Sequence, residues 1–259
     1  MRERTCIVFP FVLAVALGSV HAQPTNRENL KIYAAAAVKT SLTNIAAEYE
    51  RETGNMVSVV FDSAGATLRS YLADTEAVLL ITTPARIGGA ESAGDLESGT
   101  SIVLGTTVAG VAVPPGSPKP DISTEENLRT ALLAAERIAF SDPSRGATVG
   151  NHFMTVIASL GVQDEVLSKA TLARNGVETM RLVLEEGVDI GITQTVEILQ
   201  ANRAALAGPF PGKFELATAY SLWYTGDLSP AVEEFVGLLL GPTGREELAK
   251  EGLMPPAVR

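Results

Sequence analysis

The sequence predicts an α/β protein of two lobes with a ligand cleft between them. Short apolar segments of strand type alternate with helical segments along most of the 259 residues, which is typical of a mostly parallel sheet covered by helices on both faces. Residues 114–120 form a proline-rich break in this alternation, and a second series of strands and helices follows it. The break divides the chain into two α/β units.

The first residues have the pattern of a secretory signal peptide. Arg2 and Arg4 precede an apolar run at residues 7–20, and the run leads into the small-residue end Val20-His21-Ala22. This pattern predicts cleavage after residue 22 and export to the periplasm. The single cysteine, Cys6, lies before the apolar run, so no lipid anchor, disulfide or cysteine-based metal site is expected in the mature chain.

In the first α/β unit, small and hydroxyl-bearing residues follow the predicted strands directly. A strand at residues 30–34 opens into alanines and a helix that ends at Gly54, and a strand at 56–61 opens into Asp62-Ser-Ala-Gly65 and another helix. Further strands are predicted at 78–82 and 102–113. An open α/β sheet binds its ligands at such strand-to-helix junctions, so we expect ligand contacts near Ala37 and Ser63.

In the second unit, residues 141–153 predict an anion cradle. A strand at 137–140 ends there, Gly146 lets the backbone turn, and Thr148 or Ser144 is expected to cap a helix that runs to about Leu160;. The N–H groups at the helix start and the positive end of its dipole then point at an anion. Helices at 177–186 and 196–203, a strand at 188–193, a long apolar strand at 214–224 and two closing helices complete this pattern.

Charge and motifs exclude several classes of function. The net charge of −10 argues against nucleic acid as a partner;. The sequence has no G-x-G-x-x-G or G-x-x-x-x-G-K-[ST] phosphate loop and no G-x-S-x-G elbow;. His152 is the one histidine left after signal cleavage, so no histidine-rich metal site is expected, and no cofactor is predicted.

The chain resembles the molybdate-binding proteins, which are type II periplasmic solute-binding proteins of ABC transporters. The motifs that carry the resemblance are Tyr33-Ala-Ala-Ala-Ala37, Phe61-Asp-Ser-Ala-Gly65, Ser141-Asp-Pro143 with Val149-Gly150, Val177 at a helix start, and Asp189-Ile-Gly-Ile192. The resemblance implies strands crossing near 104–112 and 214–222 between a lobe of residues 23–107 with 220–259 and a lobe of residues 108–219. It also implies hinge closure on the ligand and a permease as partner; we expect a monomer.

The resemblance implies a site of neutral donors, and this sequence departs from it. The family's first serine and its late tyrosine correspond to Ala37 and Gln194, and its second serine to Ser63 or Gly65. A lost buried donor costs ~1–3 kcal/mol, so the expected ligand is either a molybdate- or tungstate-like oxyanion or a small polycarboxylate. The residues expected at the site are Ala37, Val38, Lys39, Ser63, Ala64, Gly65, Arg145, Thr148, Val149, Val177 and Gln194.

Charged residues near these junctions leave two functions open. Lys39, Arg69 and Arg145 are either solvated surface residues or, if turned inward, carboxylate anchors. Periplasmic aconitate isomerases resemble the same family, and their proton shift along a tricarboxylate needs one acid–base group, for which His152 is the candidate unless it only packs at its helix surface. The expected function is binding of a small anion for an ABC transporter, and the alternative is aconitate isomerase.

Overall fold

The computed structural model describes residues 27–256. The predicted signal peptide and its cleavage site lie outside this range. Among the described residues, no helix has the length and apolar character needed to cross a membrane.

Strands and helices alternate along the described chain as the sequence predicts. The strands are β1 Asn29–Ala35, β2 Met56–Asp62, β3 Leu79–Thr82, β4 Thr100–Ala112, β5 Ile138–Ser141, β6 Ala170–Ala173, β7 Ile190–Gln194, β8 Leu206–Pro209 and β9 Ala217–Tyr224. The α-helices are α1 Lys39–Thr53, α2 Ala64–Leu72, α3 Pro84–Ala93, α4 Glu125–Ala134, α5 Thr148–Ser159, α6 Gln163–Ser168, α7 Gly176–Glu185, α8 Thr195–Ala201, α9 Pro230–Leu240 and α10 Pro242–Lys250. Short 3₁₀ turns precede α1 at Ala36–Val38 and α5 at Pro143–Arg145. The short strand β8 was not predicted.

The sheet is mixed, whereas the sequence predicts a mostly parallel one. Its strand order is β2-β1-β3-β9-β4-β7-β5-β6, and β8 pairs with β4. Strand β1 pairs in parallel with β2 and β3, and β5 pairs in parallel with β6 and β7. The long strands β4 and β9 pair antiparallel with each other and with their neighbours. The two parallel groups are therefore joined by a pair of crossing antiparallel strands.

Two apolar cores lie on either side of the crossing strands. In the first, Leu42, Ile45 and Tyr49 of α1 recur at helical spacing and are buried together with β1 and α9;. The Tyr49 ring meets Phe235 of α9 edge to face, with ring centroids 5.3 Å apart;. Each fully buried aliphatic or aromatic side chain of this kind contributes roughly 1.5–3 kcal/mol. This core joins the beginning of the chain to its last helices.

The second core is built from β5, β7, α4 and α5. Phe140 of β5 and Phe153 of α5 are fully buried and their rings pack edge to face at 5.0 Å. Val156 and Ile192 complete the contact between helix and sheet. Two cores of this kind correspond to the two lobes of the α/β fold. The lobe boundaries at 107/108 and 219/220 stay a prediction.

Candidate functional site

Five strand-to-helix junctions meet at one small cavity of about 20 Å³. The junctions are those after β1, β2, β5, β6 and β7. The cavity is lined by Ala35, Ala36, Ala37, Asp62, Ser63, Ala64, Ser141, Ala147, Thr148, Val149, Gly176, Thr193, Gln194, Glu197 and Tyr220. A cavity needs roughly 10–15 Å³ to hold one water molecule, so in this structure the cavity has room only for a compact group.

At the start of α5, no side chain of the described residues caps the first backbone N–H groups. Its N-cap is Ala147, with extended backbone angles and no side-chain cap, so the prediction that Thr148 or Ser144 caps this helix is wrong. The first N–H groups of a helix have no partner within the helix. Those of Thr148 and Val149 stand at the cavity wall. An anion here would accept from these donors and interact favourably with the helix dipole.

The starts of α2 and α7, by contrast, are capped by side chains. Ser63 Oγ accepts from Ala66 N at the start of α2, and Asn175 Oδ1 accepts from Glu178 N at the start of α7. Ser63 Oγ also donates to the carbonyl of Arg145. Because Gly176 is the first residue of α7 and lines the cavity, the backbone approaches the ligand position without a side chain between them.

A tyrosine hydroxyl reaches the site from β9, a crossing strand on which the sequence analysis expects no ligand-binding residue. Tyr220 of β9 lines the cavity and is buried, and its hydroxyl lies 3.5 Å from Gln194 Nε2. Burial raises the pKa of this hydroxyl, so it stays protonated and can donate to an anion. Tyr220 thus supplies the kind of donor that is missing at position 194.

The amide of Gln194 is buried with one polar atom unused. The residue is 2% exposed, and its Oε1 has no hydrogen-bond partner among the described residues. Since oxygen and nitrogen of an amide are interchangeable by a flip, either a donor or an acceptor can face the cavity. A buried polar atom left without a partner costs free energy, so a polar ligand group here would relieve it.

Of the two acidic residues that line the cavity, Asp62 and Glu197, Glu197 is the buried one. It is 7% exposed and its Oε2 accepts hydrogen bonds from Thr193 Oγ1 and from Gln194 N. Burial raises its pKa to about 6, and these two hydrogen bonds oppose the rise;. With this pKa, Glu197 is mainly ionised at pH 7 and gains a proton about one pH unit below neutrality.

The predicted cationic contacts do not line the cavity. Lys39 is exposed at the start of α1. Arg145 Nη2 forms an ion pair with Asp62 Oδ2 at 2.6 Å, and Arg69 is exposed and donates to the carbonyl of Arg145. No lysine or arginine is among the described residues that line the cavity.

His152 is held away from the cavity by its own contacts. Its Nε2 lies 2.8 Å from the carbonyl oxygen of Phe214, and its ring packs on Phe210. It is not among the cavity-lining residues. The structure therefore corresponds to the packing alternative for this histidine.

Six of the expected site residues line the cavity and five do not. The six are Ala37, Ser63, Ala64, Thr148, Val149 and Gln194. Val38 is buried behind the first junction, Gly65 packs against Arg145 and Gly146, and Val177 is next to the lining residue Gly176. Together with Lys39 and Arg145, these three make up the five expected residues that do not line the cavity.

Sequence reasoning missed several polar lining residues, chiefly Ser141, Thr193, Glu197 and Tyr220. Ser141 and Thr193 lie at or next to the carboxyl ends of β5 and β7, so the strand-end rule could have found them. Glu197 is one helical turn after Gln194, and at this spacing a glutamate side chain can accept a hydrogen bond from the backbone N–H at the helix start. No local signal indicates Tyr220, because β9 reaches the site by long-range pairing.

A group of polar contacts lies beside the cavity, next to the lining residues Ala64 and Ala147. Gly65 N donates to the carbonyl of Gly146 at 3.2 Å, and Arg86 Nη2 donates to the same carbonyl at 2.5 Å. The pair Arg145–Asp62 lies in the same zone. We call these contacts the clasp; with the predicted boundaries, they join the first lobe to the second.

The family is shown by a family model described as bacterial extracellular solute-binding protein, which matches residues 30–254. The chain belongs to this family. This solute-binding protein is similar in structure to the periplasmic molybdate-binding protein of Azotobacter vinelandii, with a TM-score of 0.70, 17% identity, and coverage of 88% of this chain and 99% of that one. PEB3 of Campylobacter jejuni, in its complex with L-phospholactate, gives a TM-score of 0.64 at 16% identity, with 88% and 100% covered.

A more distant sequence similarity connects this solute-binding protein to an enzyme. Aconitate isomerase of a Pseudomonas species is 23% identical over 228 residues, which is 83% of this chain and 84% of that protein. At these identities the solved structures establish the fold alone. The fold is the two-lobed type II arrangement with its ligand cleft between the lobes.

Proposed function

We propose that this solute-binding protein captures a small oxyanion outside the cytoplasm and delivers it to the permease of an ABC transporter. The observation that carries the proposal is the convergence of helix starts, hydroxyls and one free amide on a single cavity. Backbone N–H groups and helix dipoles bind compact anions without a lysine or arginine. The signal peptide pattern and the family support a role outside the cytoplasm.

The size and charge of the cavity favour an oxyanion over a polycarboxylate. A six-carbon tricarboxylate is several times larger than a tetrahedral oxyanion, and it would bring three charges to a site whose described lining has no lysine or arginine. The relatives named for molybdate and for L-phospholactate have ligands with a tetrahedral oxyanion head. The oxygens of a tetrahedral head point in several directions, and the donors described above surround the cavity from several helix starts.

Substitution of Thr148 by proline tests the backbone donors directly. Proline is tolerated at the first helical position, and Ala147 already has the extended angles that a residue before proline adopts;. Thr148→Pro removes one N–H group and the hydroxyl, whereas the control Thr148→Ala removes only the hydroxyl. We expect calorimetry with molybdate, tungstate, sulfate and phosphate to show binding by the parent and a further loss of roughly tenfold or more for Thr148→Pro relative to Thr148→Ala.

Binding should also change little between low and moderate salt, because buried donors are screened less than surface charges. Failure of the parent protein to bind any oxyanion of this panel, or equal binding by the proline and alanine variants, would contradict the proposal.

A second candidate function is aconitate isomerisation. The similarity to the Pseudomonas enzyme favours it, and Glu197, with a pKa near neutral pH, has the property that an acid–base group for a proton shift requires;. His152 does not line the cavity, so the sequence-based candidate for this role is replaced by Glu197. The cavity would have to open to admit the tricarboxylate.

Incubation with trans-aconitate in deuterated water separates the two functions. A receptor leaves the compound unchanged and undeuterated, which is the result we expect. Conversion to the cis isomer with deuterium uptake, abolished in Glu197→Gln and retained in His152→Ala, would instead establish the enzyme.

A further inference from the structure

We propose that Glu197 makes anion capture proton-linked, so that the site takes up its ligand together with one proton and prefers oxyanions that keep a proton at neutral pH, as hydrogen phosphates do. This inference rests on the proposed function as an oxyanion receptor. It names the class of ligand and the residue that selects it.

The carboxyl group of Glu197 is fixed at the cavity and has one oxygen free for a ligand. Oε2 is engaged by Thr193 and by Gln194 N, while Oε1 makes no hydrogen bond to the described residues. A Cβ atom at Gly176 would overlap Oε2, so the absence of a side chain there makes room for the carboxyl group. The first turn of α8 is held by a hydrogen bond from Val196 N to Thr107 Oγ1 at 3.1 Å, so the group cannot turn out to solvent without loss of these contacts.

Among residues 27–256, no cation is paired with this carboxyl group; Arg86, whose charge acts on the neighbouring Tyr220, donates to the carbonyl of Gly146. Asp62, which also lines the cavity, is paired with Arg145. On α7, which packs against α8, Glu178 is paired with Arg181 at 2.7 Å.

The other polar groups near Glu197 are neutral or are engaged elsewhere. Tyr220 on β9 stays protonated because burial raises its pKa. Lys39, beyond the turn at Ala36–Val38, is exposed, and Arg203 donates to the carbonyl of Lys250. A proton is therefore what can remove the charge of Glu197 inside the cleft.

An anion within hydrogen-bond distance of Oε1 would repel a carboxylate there. Two arrangements avoid the repulsion: Glu197 is protonated and donates to the anion, or the anion carries a proton and donates to Oε1. Oxyanions such as molybdate and sulfate have no proton at neutral pH and require the first arrangement. Hydrogen phosphate can use the second, and its proton replaces the one that Glu197 lacks.

The sign of the pH dependence follows from this linkage. In the empty site the pKa of Glu197 is about 6, and a bound anion raises it further by like-charge repulsion. Affinity for an anion without a proton is therefore highest below about pH 6. It falls as pH rises, by at most about tenfold per pH unit, until the pKa of the complex is passed.

Calorimetry on the mature protein tests the linkage with molybdate and phosphate between pH 5.5 and pH 8.5. Two buffers of different ionisation enthalpy are used at each pH, so that proton uptake is read from the difference in heat. For the parent we expect uptake of close to one proton per molybdate near pH 8 and an affinity that decreases with pH. For Glu197→Gln, which keeps the shape without the charge, we expect a flat profile, no proton uptake and at least tenfold tighter molybdate binding at pH 8.

Glu178→Gln is the matched control, because it removes a nearby carboxylate that does not line the cavity and should leave the profile of the parent unchanged. Proton uptake is measured on the parent, so the test stands even if Glu197→Gln folds poorly. Oxyanion binding without uptake and without pH dependence would overturn the role of Glu197 and leave the receptor function intact. Absence of oxyanion binding by the parent at every pH would overturn the receptor function itself.

Discussion

Replacement of Gly65 by alanine is expected to weaken oxyanion binding by roughly 10- to 100-fold while the fold stays intact. A Cβ atom at this position would lie 2.9 Å from the carbonyl oxygen of Arg145 and 2.9 Å from the Cα atom of Gly146. Both contacts are part of the clasp, and the Cβ atom would also meet the guanidinium of Arg86. The new methyl group therefore obstructs the approach of Arg145, Gly146 and Arg86 in the clasp.

The closed state would lose the hydrogen bonds that the Gly65 backbone and Arg86 make to the carbonyl of Gly146. The open state would keep its stability or gain slightly, because alanine is the better helix former by roughly 1 kcal/mol. Calorimetry gives the affinity, and small-angle scattering with and without ligand reports closure. Gly89→Ala in α3, where a Cβ atom meets nothing within 4 Å, is the control. An unchanged affinity for Gly65→Ala would mean that ligand binding does not require the clasp.

Replacement of Gly150 by alanine should lower the free energy of unfolding by about 3 kcal/mol, which is at the upper end of the cost of overpacking. A Cβ atom there would overlap the carbonyl oxygen of Ser141. This atom belongs to the end of β5, so relief requires movement of backbone on one side of the site. Because the first turn of α5 also presents the Thr148 and Val149 donors, oxyanion binding should fall together with stability.

Thermal unfolding measures this effect, and a loss of 3 kcal/mol corresponds to a fall in Tm of roughly 6–12 °C for a chain of this size. Gly237 in α9 provides the control, since a Cβ atom there meets nothing within 4 Å. Gly237→Ala should raise stability by roughly 0.5–1 kcal/mol. Equal stabilities of the two variants would show that α5 does not pack on Ser141 as closely as described.

These predictions have a common physical basis in the close approach of backbone to backbone around the cavity. Gly65, Gly150 and Gly176 each lie in the first turn of a helix that starts at the site. A side chain at any of them would meet atoms of the clasp, of a strand end or of Glu197. The site is therefore formed by helix starts brought closer together than residues with side chains would permit.

The sequence by itself determined the α/β alternation, the junctions that carry the site and several of its members. Apolar segments of strand length followed by helical spacing are local patterns, and β1, β2 and β5 occur where those patterns predict them;. Ser63 was predicted because ligands bind at the carboxyl ends of strands, Thr148 because a helix starts there, and Val149 from the family resemblance; all three line the cavity. The local sequence pattern is therefore sufficient to specify where such junctions lie.

Only the tertiary structure decided which polar side chains enter the cavity. Arg145 is held by Asp62, 83 residues away, and Tyr220 arrives on a strand that pairs with β3 and β4. Burial of Glu197 depends on the packing of α8 against β4 and α7. Local sequence determines where a helix begins. The direction of a charged side chain depends on which partners lie near it in the folded chain and on how far solvent reaches it. For that reason the sequence left open whether Lys39, Arg69 and Arg145 turn toward the ligand, whereas the described residues that line the cavity are neutral donors with Glu197 and Asp62.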